Sequence, residues 1–410
     1  MNRSWIRTAL LNFLIAAVIG ALLRFAFVVE LPWMDYRHWL HAHSHVAMLG
    51  WVYLALFSFL VPAFLSEAQA RKPIYKRLFW LTQLSVLGML FSFPVQGYGP
   101  VSIAFSTLHM ILAYLFAYRF WKDSRERSWK MSTTLVHLSL AFMLFSSLGL
   151  WAMGVVMAFD LRNTEWYYLS VQFFLHFQFY GWFGLAVFGL FFRWMENRGI
   201  QLPERHSNLF IFLLAVSVLL SFALPVTWAF PQTLFFIINS AGVLLQLAAL
   251  VVFIRLLWPY RQQLFDLLPR WPLRLFGFAF GAWALKVLIQ SSTVIPVMST
   301  IGYTIRNFTI GFVHLFLLGT VSAFLIGYAF YHQVFGKNIR LAISGAVLLL
   351  VGIALSEAIL FTQGFMFWGA MGFLPGYYEV LFSVSLLMPL GVAFLFAGLF
   401  GQRRQQATSN

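Results

Sequence analysis

Residues 38–65 read HWLHAHSHVAMLGWVYLALFSFLVPAFL. From Val46 to Leu65 there is no charged side chain. At 1.5 Å rise per residue such a run crosses a hydrocarbon core of about 30 Å as one helix. Its apolar residues are contiguous rather than alternating, which excludes a membrane barrel strand. The N-terminal part of the stretch carries His38, His41, His43 and His45. A single span with imidazoles at its mouth thus predicts both an α-helical membrane protein and the place to search for its chemistry.

The remainder of the 410-residue chain repeats the apolar part of this pattern. Apolar residues make up 61% and charged residues 10%, against about 25% charged in globular proteins. Blocks of span length fall at about 9–29, 38–65, 78–95, 101–121, 132–156, 167–193, 208–228, 233–257, 274–296, 305–334, 340–362 and 377–401. The expectation is an all-α polytopic protein with about twelve transmembrane helices. Residues 1–401 form one transmembrane domain and 402–410 a polar tail, and no internal repeat is visible. The segment MNRSWIR before the first block resembles a signal n-region. The block lacks a small-residue cleavage site, so it is expected to remain as the first helix.

The net charge of +15 raises the possibility of nucleic acid as partner, and the positions of the charges argue against it. With twelve spans, 22 of the 27 Lys and Arg residues fall in connections on one side, including Arg3, Lys72, Arg125, Arg198, Arg270 and Arg403. Arg37, Arg162 and Arg306 fall on the other. This asymmetry predicts cytoplasmic termini, location in the inner (cytoplasmic) membrane, and anionic lipid headgroups as neighbours. The chain contains no cysteine, which excludes disulfides, thiolate metal sites and Fe–S clusters.

Ionisable groups at membrane depth are costly and tend to mark sites. Under the predicted topology His109, His176 and His314 lie about nine or ten residues into helices entering from outside, roughly 13–15 Å deep. His45 is the deepest of the second-span group. Neutral imidazole is a common metal ligand and an axial ligand of haem iron. Gln172, His176, Tyr180 and Gly184 form a polar and small stripe in the sixth span. His314 lies among Gly311, Gly319, Thr320 and Ser322. His38 and His41 read as residues of the wet interface, His109 and His137 as structural, and His206 and His332 as surface residues. Lys286 and Glu357 are expected to pair with each other, or Lys286 with a haem propionate. Arg24 is expected to snorkel, and Arg306 to anchor the interface or meet a propionate.

This arrangement resembles subunit I of haem–copper oxidases. In that family helix two carries a low-spin haem ligand, and here AHSHVAMLGW offers His45, or His43, at the matching position. Family helix ten carries H-x-H; His314 matches the low-spin ligand, and Phe312 stands where the high-spin ligand would be. Family helix six carries H-x-x-x-Y with a copper-ligating His, matched by His176 and Tyr180 in HFQFY. The family's His pair in helix seven has no counterpart in LFIFLLAVSVLLSFALPVTWAF. The chain also resembles the twelve-helix haem- and copper-containing membrane proteins of the nitric-oxide response. The resemblance implies a b-type haem between His45 and His314, with electron transfer rather than four-electron oxygen reduction. His176, with His109 or His43, would hold a second metal (copper) or a second haem. It further implies a quinol or an external redox protein, and small subunits, as partners. Two other readings stand beside it: a secondary transporter with a polar intramembrane site, and a haem-based sensor or assembly factor.

Overall fold

A computed structural model describes residues 2–124 and 130–400. The polar tail 402–410, together with Arg125, Arg127, Arg403 and Arg404 of the basic set, lies outside the described residues. Among those residues the chain is helical, with no strand. Twelve helices are long and apolar enough to cross a membrane: α1 Arg3–Phe25, α2 Tyr36–Phe64, α3 Pro73–Gln96, α4 Pro100–Asp123, α5 Met131–Ala158, α6 Glu165–Asn197, α7 Glu204–Ala229, α8 Thr233–Leu267, α9 Arg270–Val294, α10 Arg306–Tyr331, α11 Ile339–Trp368 and α12 Tyr377–Gly398.

Local signals account for several helix starts and stops. The Asp35 carboxylate accepts from His38 N at 3.0 Å and caps α2, as expected for an Asp at a helix N-terminus. Pro73 and Pro100 open α3 and α4, where a missing N–H costs nothing. Gly97, at φ +55°, ends α3, a conformation that glycine adopts without penalty. An even number of crossings returns both termini to one end, where Arg7 Nη2 donates to Leu399 O at 3.3 Å. At that end Lys72 pairs with Asp123, and Ser132 donates to Glu196. The opposite end bears His38, His41, His43 and His45.

Three helices are central. The most apolar windows of α2, α6 and α10 are 83%, 78% and 67% buried, whereas no other window exceeds 50%. Each central helix packs on the helix before it: α2 on α1, α6 on α5 and α10 on α9. The remaining helices pair as α3 with α4, α7 with α8 and α11 with α12, and α12 returns to α1. The bundle is therefore three four-helix units, α1–α4, α5–α8 and α9–α12, arranged in the same way. This repetition of packing escapes the sequence reading, because the units share almost no side chains.

One local feature also repeats. Immediately after His45, His176 and His314 the backbone becomes π-helical, over Val46–Tyr53, Phe177–Gly184 and Leu315–Ser322. Such wide turns are uncommon and occur often at functional sites. The fifth residue of each is glycine: Gly50, Gly181 and Gly319. A Cβ there would lie 3.1 Å from Asn12 of α1, 2.6 Å from Phe142 of α5 and 3.0 Å from Ala282 of α9, respectively. The glycines thus seat each wide turn against the preceding helix. Carbonyls displaced from regular pairing find side chains, with Asn12 Nδ2 donating to Gly50 O at 3.0 Å and Ser322 Oγ to Leu317 O at 2.8 Å. Trp51 Nε1 donates to Ser322 Oγ at 2.8 Å and ties the wide turns of α2 and α10 together.

Candidate functional site

The three π-helical turns set the histidines that precede them on three separate interfaces. In α2, residues 41 and 45 share one face and residue 43 lies about 200° away, on the other. His41 and His45 turn toward α3 and the bend after it. The His45 ring centroid lies 4.3 Å from that of Phe93, and the His41 ring 4.6 Å from Tyr98. His43 turns toward α1, donating from Nδ1 to Ala16 O at 2.9 Å. It also fits over Gly20, where a Cβ would lie 2.8 Å from its Cε1.

This division sets His43 and His45 on different interfaces. The electrostatic neighbours of His314 are Arg24 and His43, whereas His45 has His41 and His109 as neighbours. Depth along α2 favours His45, but the face that meets α10 carries His43. The His43 ring has its Nδ1–H committed to a carbonyl, which leaves Nε2 with a free lone pair, the arrangement found in metal-ligating histidines. His314 Nδ1 has no hydrogen-bond partner, and the Ile310 carbonyl one turn back lies close but outside bonding geometry. Both rings are half-buried.

Around this pair, α1, α11 and α12 contribute Arg24, Ser356, Glu357 and Ser385. Arg24 does not snorkel: it turns inward and donates to Ser356 Oγ at 2.8 Å and to Ser385 Oγ. Glu357 faces the same region, with Oε2 3.0 Å from where a Gly311 Cβ would be. Both Glu357 oxygens lack hydrogen-bond partners. The expected pairing of Lys286 with Glu357 does not form, since Lys286 Nζ instead donates to Gln290 Oε1 at 2.6 Å and Gln246 Oε1 at 3.3 Å. Arg306 is exposed and has Tyr36 as an electrostatic neighbour, a position suited to an interface anchor.

His176 and His109 do not come together. His176 donates from Nε2 to Val218 O of α7 at 2.8 Å, and its ring lies 5.1 Å from Tyr180. His109 is buried between α2 and α4, with its ring 4.9 Å from Tyr53 and its Nε2 without a partner. Among the described residues no three His, Cys, Asp or Glu side chains stand close enough to hold a metal ion. His176 and His109 lie in different units of the bundle, one against α7 and the other against α2. Gln172 is half-buried at the mouth of α6.

Where a second planar group would lie between α6 and α10, side chains fill the space. Lys286 Nζ sits 4.0 Å from the Tyr180 ring centroid, 5.4 Å from Phe312 and 5.9 Å from Phe316. This donor set is cationic and aromatic, and it does not fit a second haem. The inward Arg24, Ser356 and Ser385 were not legible as a group. Asn12 and Gln83, bonded at 2.7 Å in the first unit, carried a usable signal as uncharged polar residues in apolar blocks.

No protein-family model matches this chain, and no curated protein matches its sequence.

Proposed function

We propose that this chain is an electron-transferring membrane haem protein whose haem is held between His43 of α2 and His314 of α10. The observation that carries this reading is that the imidazoles of His43 on α2 and His314 on α10 are neighbours, with Arg24 beside them. Two imidazole ligands fit haem iron better than a mononuclear cation, which takes four or more ligands. Without cysteine the group is bound non-covalently, consistent with a b-type haem. When bound, the haem would supply one-electron redox chemistry, with His43 and His314 as the residues that would hold it. His43 orients the group through its bond to Ala16, and Arg24 offers a cation to acidic substituents at its periphery. The resemblance to haem–copper oxidase subunit I supports this assignment. The Lys286 cage and the lack of histidine over residues 209–229 of α7 support an electron carrier in place of an oxygen-reducing centre.

The distribution of basic residues supports cytoplasmic termini and the inner membrane, with the histidine-bearing end outside. Electrons then enter or leave there, through a quinol in the membrane or a redox protein docking from outside, with small subunits as further partners. Three similar units favour this reading over a transporter built from two related halves.

The test is a visible spectrum of the purified protein with a haem assay. A low-spin Soret band is expected, lost in His43→Ala and His314→Ala and kept in His45→Ala. A colourless wild type, or loss in His45→Ala with retention in His43→Ala, would overturn the proposal.

A further inference from the structure

Lys286 lies in α9, 1% exposed, and no carboxylate meets it. Its surroundings suit the charged ammonium: two glutamine carbonyl oxygens accept from it, and the Tyr180 ring face lies 4.0 Å away. Amide oxygens and aromatic faces stabilise a cation without neutralising it. An unneutralised charge in an apolar interior is expensive. An ammonium has three N–H donors, and the two glutamines take two.

Beside Lys286 is a cavity of ≈ 10 Å³ between α6, α7, α8, α9 and α10, lined by Lys286, Tyr180, Thr320 and Gln246 among apolar side chains. That is about the room of one water. The Thr320 hydroxyl is 1% exposed and has no hydrogen-bond partner. A water there would satisfy hydrogen bonds but leave the charge. An anion satisfies both, accepting from the third Lys286 N–H and from Thr320 O–H.

We infer that this cavity is a binding site for a small monovalent anion of the halide class. Its size, about that of one water, suits a single monatomic anion and excludes diatomic anions and oxyanions. The site is separate from the His43–His314 pair and does not rest on the haem reading.

The experiment measures thermal unfolding of the purified full-length protein in detergent at constant ionic strength, replacing gluconate by chloride. A ligand that binds the native state raises the midpoint in a saturable way. The wild type is expected to show such a rise with chloride. Lys286→Met is expected to abolish it, and Thr320→Val to weaken apparent affinity about tenfold, the worth of one hydrogen bond to a charged group. A wild type indifferent to chloride overturns the inference, as does a Lys286→Met protein with an undiminished response. Should Lys286→Met not fold, Thr320→Val decides: unchanged chloride affinity in that variant also overturns it.

Discussion

Gly20→Ala separates orientation of the proposed ligand from the fold around it. The added Cβ would lie 2.8 Å from His43 Cε1 and 3.3 Å from Nδ1. Carbon contacts settle at about 3.5–4.0 Å, so the imidazole must move by roughly 0.7 Å or more. Its bond to Ala16 O, 2.9 Å in the native protein, then stretches to about 3.5 Å, where a hydrogen bond is effectively lost. That loss costs about 0.5–1.5 kcal/mol, while replacing a helical glycine by alanine returns about 0.5–1 kcal/mol. Net stability should change by less than about 1 kcal/mol. Removing the group that orients a metal-ligating histidine typically lowers affinity by about 10–100-fold. The assay is haem titration of the detergent-purified apoprotein, followed at the Soret band, beside a thermal melt. Gly277→Ala, with nothing within 4 Å of its Cβ, is the control and should match wild type in both. A Gly20→Ala protein with wild-type haem affinity and spectrum would refute the role given to His43.

Three further outcomes are expected. Gly391→Ala puts a Cβ 2.7 Å from Gly345 O and 2.7 Å from Leu349 N, backbone that can move only by parting α11 from α12; it should destabilise by about 1–3 kcal/mol in a thermal melt. Asn12→Ala leaves Gln83 and the Gly50 carbonyl without their shared partner and should cost about 1–3 kcal/mol by the same assay, with Ser4→Ala, on an exposed turn, near neutral. The cysteine-free chain makes orientation simple to read: Asp160→Cys should react with a membrane-impermeant thiol reagent on intact cells and Arg198→Cys only after permeabilisation, and the reverse pattern would invert the assigned topology.

The helices were legible because a bilayer imposes a length and a composition that can be counted, and all twelve apolar blocks correspond to helices. The boundaries moved where polar residues continue a helix past its apolar part, as α6 does to Asn197 and α8 to Leu267. The histidines were legible as a layer, because depth follows from position along a span. Which histidine meets which was not. That depends on which helices are neighbours, and a periodicity within one helix carries no information about it. Lys286 and Glu357 show the same limit: two opposite charges at membrane depth invite pairing, yet one belongs to the α6–α10 interface and the other to the region beside α1.

The π-helical turns explain why His43 was harder to single out than His45. Reading α2 as a regular helix ranks its histidines by depth, and His45 wins because it is the last before the apolar run. The structure instead uses His45 as the hinge between α- and π-helix, in the same position as His176 and His314. Each of these three is followed five residues later by glycine, at Gly50, Gly181 and Gly319. That spacing was present in the sequence and marks the three units more sharply than any similarity among their other residues. Once the three are equivalent, His314 faces the α2 side of its own interface, and the residue opposite it must come from two positions before His45. In α6 and α10 the corresponding positions are Phe174 and Phe312; only in α2 is it a histidine. The threefold arrangement therefore confines facing imidazoles of this kind to one of the three interfaces, and it is at that interface that Arg24, Ser356 and Ser385 converge.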